Sequence, residues 1–163
     1  MKKQSFAPLI ASLVVISDFI TKRMILKWVK PYESIDILPF INIVHVENEG
    51  AAFGLFSSLG NSIFVIISIV AIIVIIAYLA KIRSRLEIFS ISLILGGATG
   101  NLIDRLTVGK VVDFIDFFVG EWHWPAFNVA DSALTVGIIF FFLASIRESN
   151  KKGFKGSSGQ GFK

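Results

Sequence analysis

Residues 60–80 read GNSIFVIISIVAIIVIIAYLA, and no charged residue occurs from Gly50 to Ala80. A helix of ~20 apolar residues, rising 1.5 Å per residue, spans the ~30 Å hydrocarbon core of a bilayer. This stretch therefore reads as a transmembrane helix, and the composition around it agrees. Of 163 residues, 54% are hydrophobic and 17% charged, and 16 are Phe; ordinary soluble chains carry about 25% charged residues. A soluble enzyme, a disordered regulator and a disulfide scaffold are all disfavoured. There is no cysteine, which excludes disulfides, Cys-ligated metals, a Cys nucleophile and lipid attachment through Cys.

Working outward, three more apolar segments lie at about 7–26, 87–106 and 128–147, each with one polar end. Together they predict an all-α membrane protein with four transmembrane helices in one domain, residues 1–150. The remainder, KKGFKGSSGQGFK at 151–163, is basic and rich in Gly and Ser, a composition that predicts a disordered tail. Lys2 and Lys3 precede an apolar run as in a signal peptide, but Asp18 and Lys22 follow in place of a small-residue cleavage site. The segment reads as an uncleaved signal anchor.

Orientation follows from the basic residues, which favour the cytoplasmic side. Ten of the 16 lie at the N-terminus, in the 81–85 loop or after residue 146, whereas ten of the twelve acids fall on the other side. Both termini are expected in the cytoplasm. The net charge of +4 is then a topology signal with affinity for membrane lipid, and nucleic acid is not an expected partner. Between the first two spans, Tyr32 to Val46 alternates in places, with Pro31 and Pro39 as punctuation. This predicts a small extracytoplasmic β-element. Between the last two, Val108 to Pro125 is apolar and aromatic, with Gly109 and Gly120 as turns. Trp28, Trp122 and Trp124 all fall in these outer segments, as an interfacial belt requires.

Ionisable groups within spanning segments are costly and mark sites. Asp18 is late in an outward helix, Asn101, Asp104 and Arg105 are late in another, and Asn128 and Asp131 are early in an inward one. The alternating directions bring them to one level near the outer face, and Asp113 lies in the adjoining loop. Each has a plainer explanation. Asp18 and Lys22 form an ordinary i, i+4 pair, Asp104–Arg105 a salt-bridge cluster, and Asn128 or Asp131 a helix N-cap. Asp113, between Val111-Val112 and Phe114-Ile115, is hardest to explain so. Gly96-Gly97-Ala98-Thr99-Gly100 lacks the Lys of a phosphate loop and reads as a small-residue helix contact. The Gly50-Ala51-Ala52 run with Gly54 likewise reads as packing where the second span begins.

Neither His45 nor His123 lies in a span, and no His-Glu-x-x-His occurs, which excludes a zinc protease and weighs against a serine one. A carboxylate pair remains. Two Asp in a poorly solvated pocket cannot both ionise easily, so one keeps a proton and the pair can act on water as base and acid. The same carboxylates would also permit a proton- or cation-coupled carrier using Asp18, Asp104 and Asp131. Against that, none lies toward the cytoplasmic half to complete a relay.

Five blocks carry a resemblance that spans about Leu9 to Arg147. They are Asp18-Phe19-Ile20-Thr21-Lys22, Asn48-Glu49-Gly50-Ala51-Ala52-Phe53-Gly54, Gly96 through Arg105, Val111-Val112-Asp113-Phe114, and Phe127-Asn128-Val129-Ala130-Asp131-Ser132. The sequence resembles the bacterial lipoprotein signal peptidases, the signal peptidase II family of aspartyl intramembrane proteases. The resemblance implies catalytic Asp113 and Asp131, with Asp18, Asn48, Asn101, Asp104, Arg105 and Asn128 as substrate-binding or supporting residues. It implies diacylglyceryl-modified prolipoproteins as substrates, cut just before the lipidated Cys. It further implies globomycin-type inhibitors, residence in the bacterial cytoplasmic membrane, and neither cofactor nor metal.

Overall fold

The computed structural model describes residues 5–50 and 60–157, with side chains as far as Arg147. Residues 51–59, which include most of the small-residue run that begins at Gly50, lie outside the described residues. Four helices form among the described residues: α1 (Ala7–Trp28), α2 (Asn61–Leu79), α3 (Arg85–Thr107) and α4 (Val129–Ser157). Their limits fall within two residues of the expected spans, except that α4 runs on. The tail expected to be irregular from Lys151 is helical as far as Ser157. No Pro interrupts 129–157, and each Gly there costs a growing helix only about 1 kcal/mol.

Among the described residues, three helical segments are long and apolar enough to cross a membrane: Asn61–Leu79, Arg85–Thr107 and Val129–Arg147. The first helix is as long, at 22 residues, but carries Asp18, Lys22 and Arg23 in its second half. In α2 only Phe64 is buried, while Ile66, Ile67, Val70, Ile73 and Val74 stand exposed. A helix apolar on every face is stable against lipid or inside a large core, and among the described residues nothing covers most of it.

Helix α3 is the hub, packing on α1, α2 and α4. Its small residues allow this. A Cβ on Gly97 would run into the Ala130 carbonyl oxygen and lie 2.7 Å from Leu134 Cγ, and one on Gly100 would sit 2.6 Å from Asp18 Oδ2. Only glycine lets α4 and the Asp18 carboxylate come so close.

The loops beyond the helices join into one antiparallel sheet, β1 (Ser34–Leu38), β2 (Ile41–Asn48), β3 (Val111–Val119) and β4 (Trp122–His123), in that order. The β-element is larger than Tyr32–Val46, because the apolar 108–125 segment supplies its third and fourth strands. Residues 111–114 are all buried, and a strand buried on both faces carries apolar residues without alternation, here interrupted only by Asp113 and Asp116. Val46 pairs with Asp113 and Asn48 with Val111. Val112 and Phe114 pack against Ile25 of α1 and Val29 just beyond it, which seats the sheet on one end of the bundle. The turns expected at Gly109 and Gly120 have φ of 86° and 60°, where glycine is favoured.

Candidate active site

The polar residues scattered over five segments of sequence meet where the sheet sits on the bundle. Asp113, on the buried strand β3, accepts from Asn128 Nδ2 at 2.7 Å on Oδ1 and from Asn48 Nδ2 at 3.0 Å on Oδ2. Asn48 ends β2 and is itself oriented by the Gly50 N–H, 2.9 Å from its Oδ1. Asp131, in the first turn of α4, accepts from Asn101 Nδ2 at 2.7 Å.

Asn128 joins the two aspartates. Its Oδ1 accepts the Asp131 N–H at 2.8 Å and its backbone oxygen the Ser132 N–H at 3.1 Å. It is therefore the N-cap of α4, as the plain reading held. The same amide turns its Nδ2 to Asp113. A capping role and a site role coexist in one fully buried side chain.

Asp18 and Asp104 do not point into this cluster. Each pairs with the buried Lys22 ammonium, at 2.8 and 3.0 Å. Asp18 Oδ1 accepts the Ala130 N–H at 2.8 Å, and Asp104 Oδ2 the Val112 N–H at 3.0 Å. The two outer carboxylates thus hold the backbone one residue ahead of Asp131 and of Asp113. The expected Asp104–Arg105 salt bridge is absent among the described residues. Arg105 donates instead to the Gly50 and Asn101 carbonyl oxygens, at 3.0 and 3.4 Å, with its guanidinium over the Phe64 ring. Thr21 bonds its own helix backbone and takes no part. Lys22 is the residue sequence reasoning left out of the site. It was legible only as half of an ordinary helix pair, though a third charge in a spanning segment was a signal in itself.

A cavity of about 800 Å³ opens beside the cluster. Asn48, Asn101, Arg105, Asp113 and Asp131 form its polar wall, and Phe64, Ile67, Ala71 and Leu134 extend it between α2 and α4. Burial, reinforced by the nearby Asp131 charge, pushes the Asp113 carboxyl up to about 7, against the opposing pull of the Asn48 and Asn128 donors and of Lys22. Near neutral pH the site can hold one carboxyl that donates a proton beside another that can accept one. Among the described residues, no three His, Asp or Glu are grouped to hold a metal ion. His45 and His123 lie elsewhere, against the Val29 carbonyl and Asp116.

Long apolar helices closing on a buried polar site beside a cavity are the architecture of a multi-pass membrane protein. The family model for signal peptidase (SPase) II matches residues 10–147, and the chain belongs to that family. It is 43% identical over 136 residues to a lipoprotein signal peptidase of Thermodesulfovibrio yellowstonii, covering 83% of this chain and 91% of that one. It is 37% identical over 153 residues to a lipoprotein signal peptidase of Anaplasma phagocytophilum, covering 93% and 98%. It also superposes on a bacterial membrane enzyme solved by the in meso method at 2.3 Å, with a TM-score of 0.83, 38% identity and 90% of each chain covered.

Proposed function

We propose that the chain is a lipoprotein signal peptidase of the aspartic type. It would cut diacylglyceryl-modified prolipoproteins just before the lipidated Cys, with Asp113 and Asp131 as the catalytic pair. The observation that carries this is that two cavity-lining aspartates are tied together by the single amide of Asn128, which donates to the Asp113 carboxylate and accepts the Asp131 backbone N–H. In the mechanism, the charged carboxylate takes a proton from water as that water attacks the scissile carbonyl carbon. The protonated carboxyl hydrogen-bonds the carbonyl oxygen and then supplies the proton that the leaving amide nitrogen needs. The raised proton affinity of Asp113 suits the acid role. Asn48, Asn101 and Asn128 hold the carboxylates in place, and Arg105 offers donors to substrate carbonyls. Asp18 and Asp104 support the site from behind.

All four helices span, within a domain of residues 1–150. Two of the charges of α1 are compatible with this, since Asp18 and Lys22 are each only 1% exposed and face the bundle, where such groups are tolerated; Arg23 and Lys27 are exposed in its last turns, from which long basic side chains reach the interface. The distribution of basic residues supports both termini lying in the bacterial cytoplasm and the site near the outer face of the membrane. The apolar part of the cavity, open between α2 and α4, suits lipid and an apolar signal peptide. Globomycin-type inhibitors would compete for the same space.

The test is incubation of the purified protein with a lipidated prolipoprotein, comparing wild type with Asp113→Asn and Asp131→Asn. Asn keeps the shape of Asp but cannot take the proton. General acid–base help is worth ~10²–10⁴-fold per group, so each variant should lose more than about two decades of rate while still inserting and binding substrate. Near-wild-type cleavage by either variant would remove that residue from the mechanism. A carrier would release no signal peptide even from the wild type.

A further inference from the structure

Lys22 is the largest fully buried side chain among the described residues. Its ammonium lies 2.8 Å from Asp18 Oδ2, 3.0 Å from Asp104 Oδ2 and 3.0 Å from Asn101 Oδ1. The ammonium donates a hydrogen bond to Asn101 Oδ1 and forms ion pairs with the two carboxylates, and it has no capacity to accept. That one-way character constrains Asn101. A carboxamide is nearly symmetric in shape, with an acceptor at one end and a donor at the other, and its local partners decide which way it turns. Against Lys22 only the oxygen end is favourable. The amino end must then face Asp131, where Nδ2 donates to Oδ1 at 2.7 Å. Turned the other way, Asn101 would set its oxygen against the Asp131 carboxylate and its amino group against the ammonium.

We infer that Lys22 is a positioning residue for Asp131, acting through Asn101, whose amide it holds in the one orientation that offers a donor to the Asp131 carboxylate. The inference rests on the reading of Asp113 and Asp131 as the catalytic pair. Asp18 and Asp104 serve as counter-ions that keep the ammonium in place. A plain structural role, in which Lys22 does nothing more than neutralise those two carboxylates, makes a different forecast for kinetics.

The experiment is a double-mutant cycle on the full chain, reading kcat and KM on a lipidated prolipoprotein together with the melting temperature. The variants are Lys22→Met, Asn101→Leu and their combination. Residues acting as a unit show strongly non-additive losses. Each single change should therefore lower kcat about tenfold or more with KM within about threefold, and the double should fall little below the worse single. Lys22→Met leaves two buried carboxylates without a counter-ion, so the cycle is repeated in an Asp104→Asn background. Losses that multiply would overturn the inference. So would a lower melting temperature with unchanged kcat, or failure of every Lys22 variant to insert and fold in both backgrounds. A wild type that releases no signal peptide would instead strike the functional reading, and this inference would fall with it.

Discussion

Asp113 makes a measurable forecast about stability. Its carboxyl rises from 3.8 to about 7 on folding, first because it is buried and second because Asp131 is near. Between those values the folded protein binds a proton that the unfolded chain does not, so stability falls as pH rises through the window. At 1.36 kcal/mol for each pH unit, the full cost above pH 7 is about 4 kcal/mol. Asn at this position has no proton to lose, and Asp113→Asn removes the cost. Groups remote from Asp113 titrate alike in both proteins, so the difference between them reports Asp113 together with its interaction with Asp131. Unfolding of wild type and Asp113→Asn would be followed in mixed micelles from pH 4 to pH 8. Near pH 4 the wild-type carboxyl in the fold is neutral, and the two proteins should differ least to the advantage of the variant. By pH 8 the variant should have gained up to about 4 kcal/mol relative to wild type. A difference that stays flat with pH, or moves against the variant as pH rises, would refute the argument that burial and Asp131 burden this carboxylate.

Three further outcomes are expected. Gly97→Ala should destabilise the protein by about 1–3 kcal/mol, seen in its melting temperature, because the new methyl would meet the Ala130 carbonyl and Leu134 of α4. Asp116→Asn should cleave within a few-fold of wild type, since Asp116 accepts from His123 and Asn42 and does not line the cavity beside Asp113 and Asp131; a loss like that of Asp113→Asn would show that His123–Asp116 belongs to the site. The native chain has no cysteine, so Arg83→Cys can be labelled cleanly; label reaching it only from the cytoplasmic side is expected, and labelling only from outside would reverse the topology.

Most of the helical architecture was legible in the chain itself. Continuous apolar runs of bilayer length have one stable answer in lipid, because a helix satisfies its own backbone there. The meeting of polar residues at one level was legible for the same reason, since alternating helix directions set the depth of Asp18, Asn101, Asp104, Asn128 and Asp131. Depth along an axis, however, says nothing of azimuth or partner. That Asp18 and Asp104 turn to Lys22, that Arg105 turns to the Gly50 carbonyl, and that Asn128 both caps α4 and holds Asp113 depend on how close α1 and α4 come to α3. The third strand was hidden because a segment buried on both faces loses its alternation. The sequence by itself determined a membrane bundle with its polar groups gathered at one end. Only the tertiary structure decided which carboxylates share the cavity and which stand behind it, because hydrogen-bond partners are set by ångström-scale distances between elements far apart in the chain.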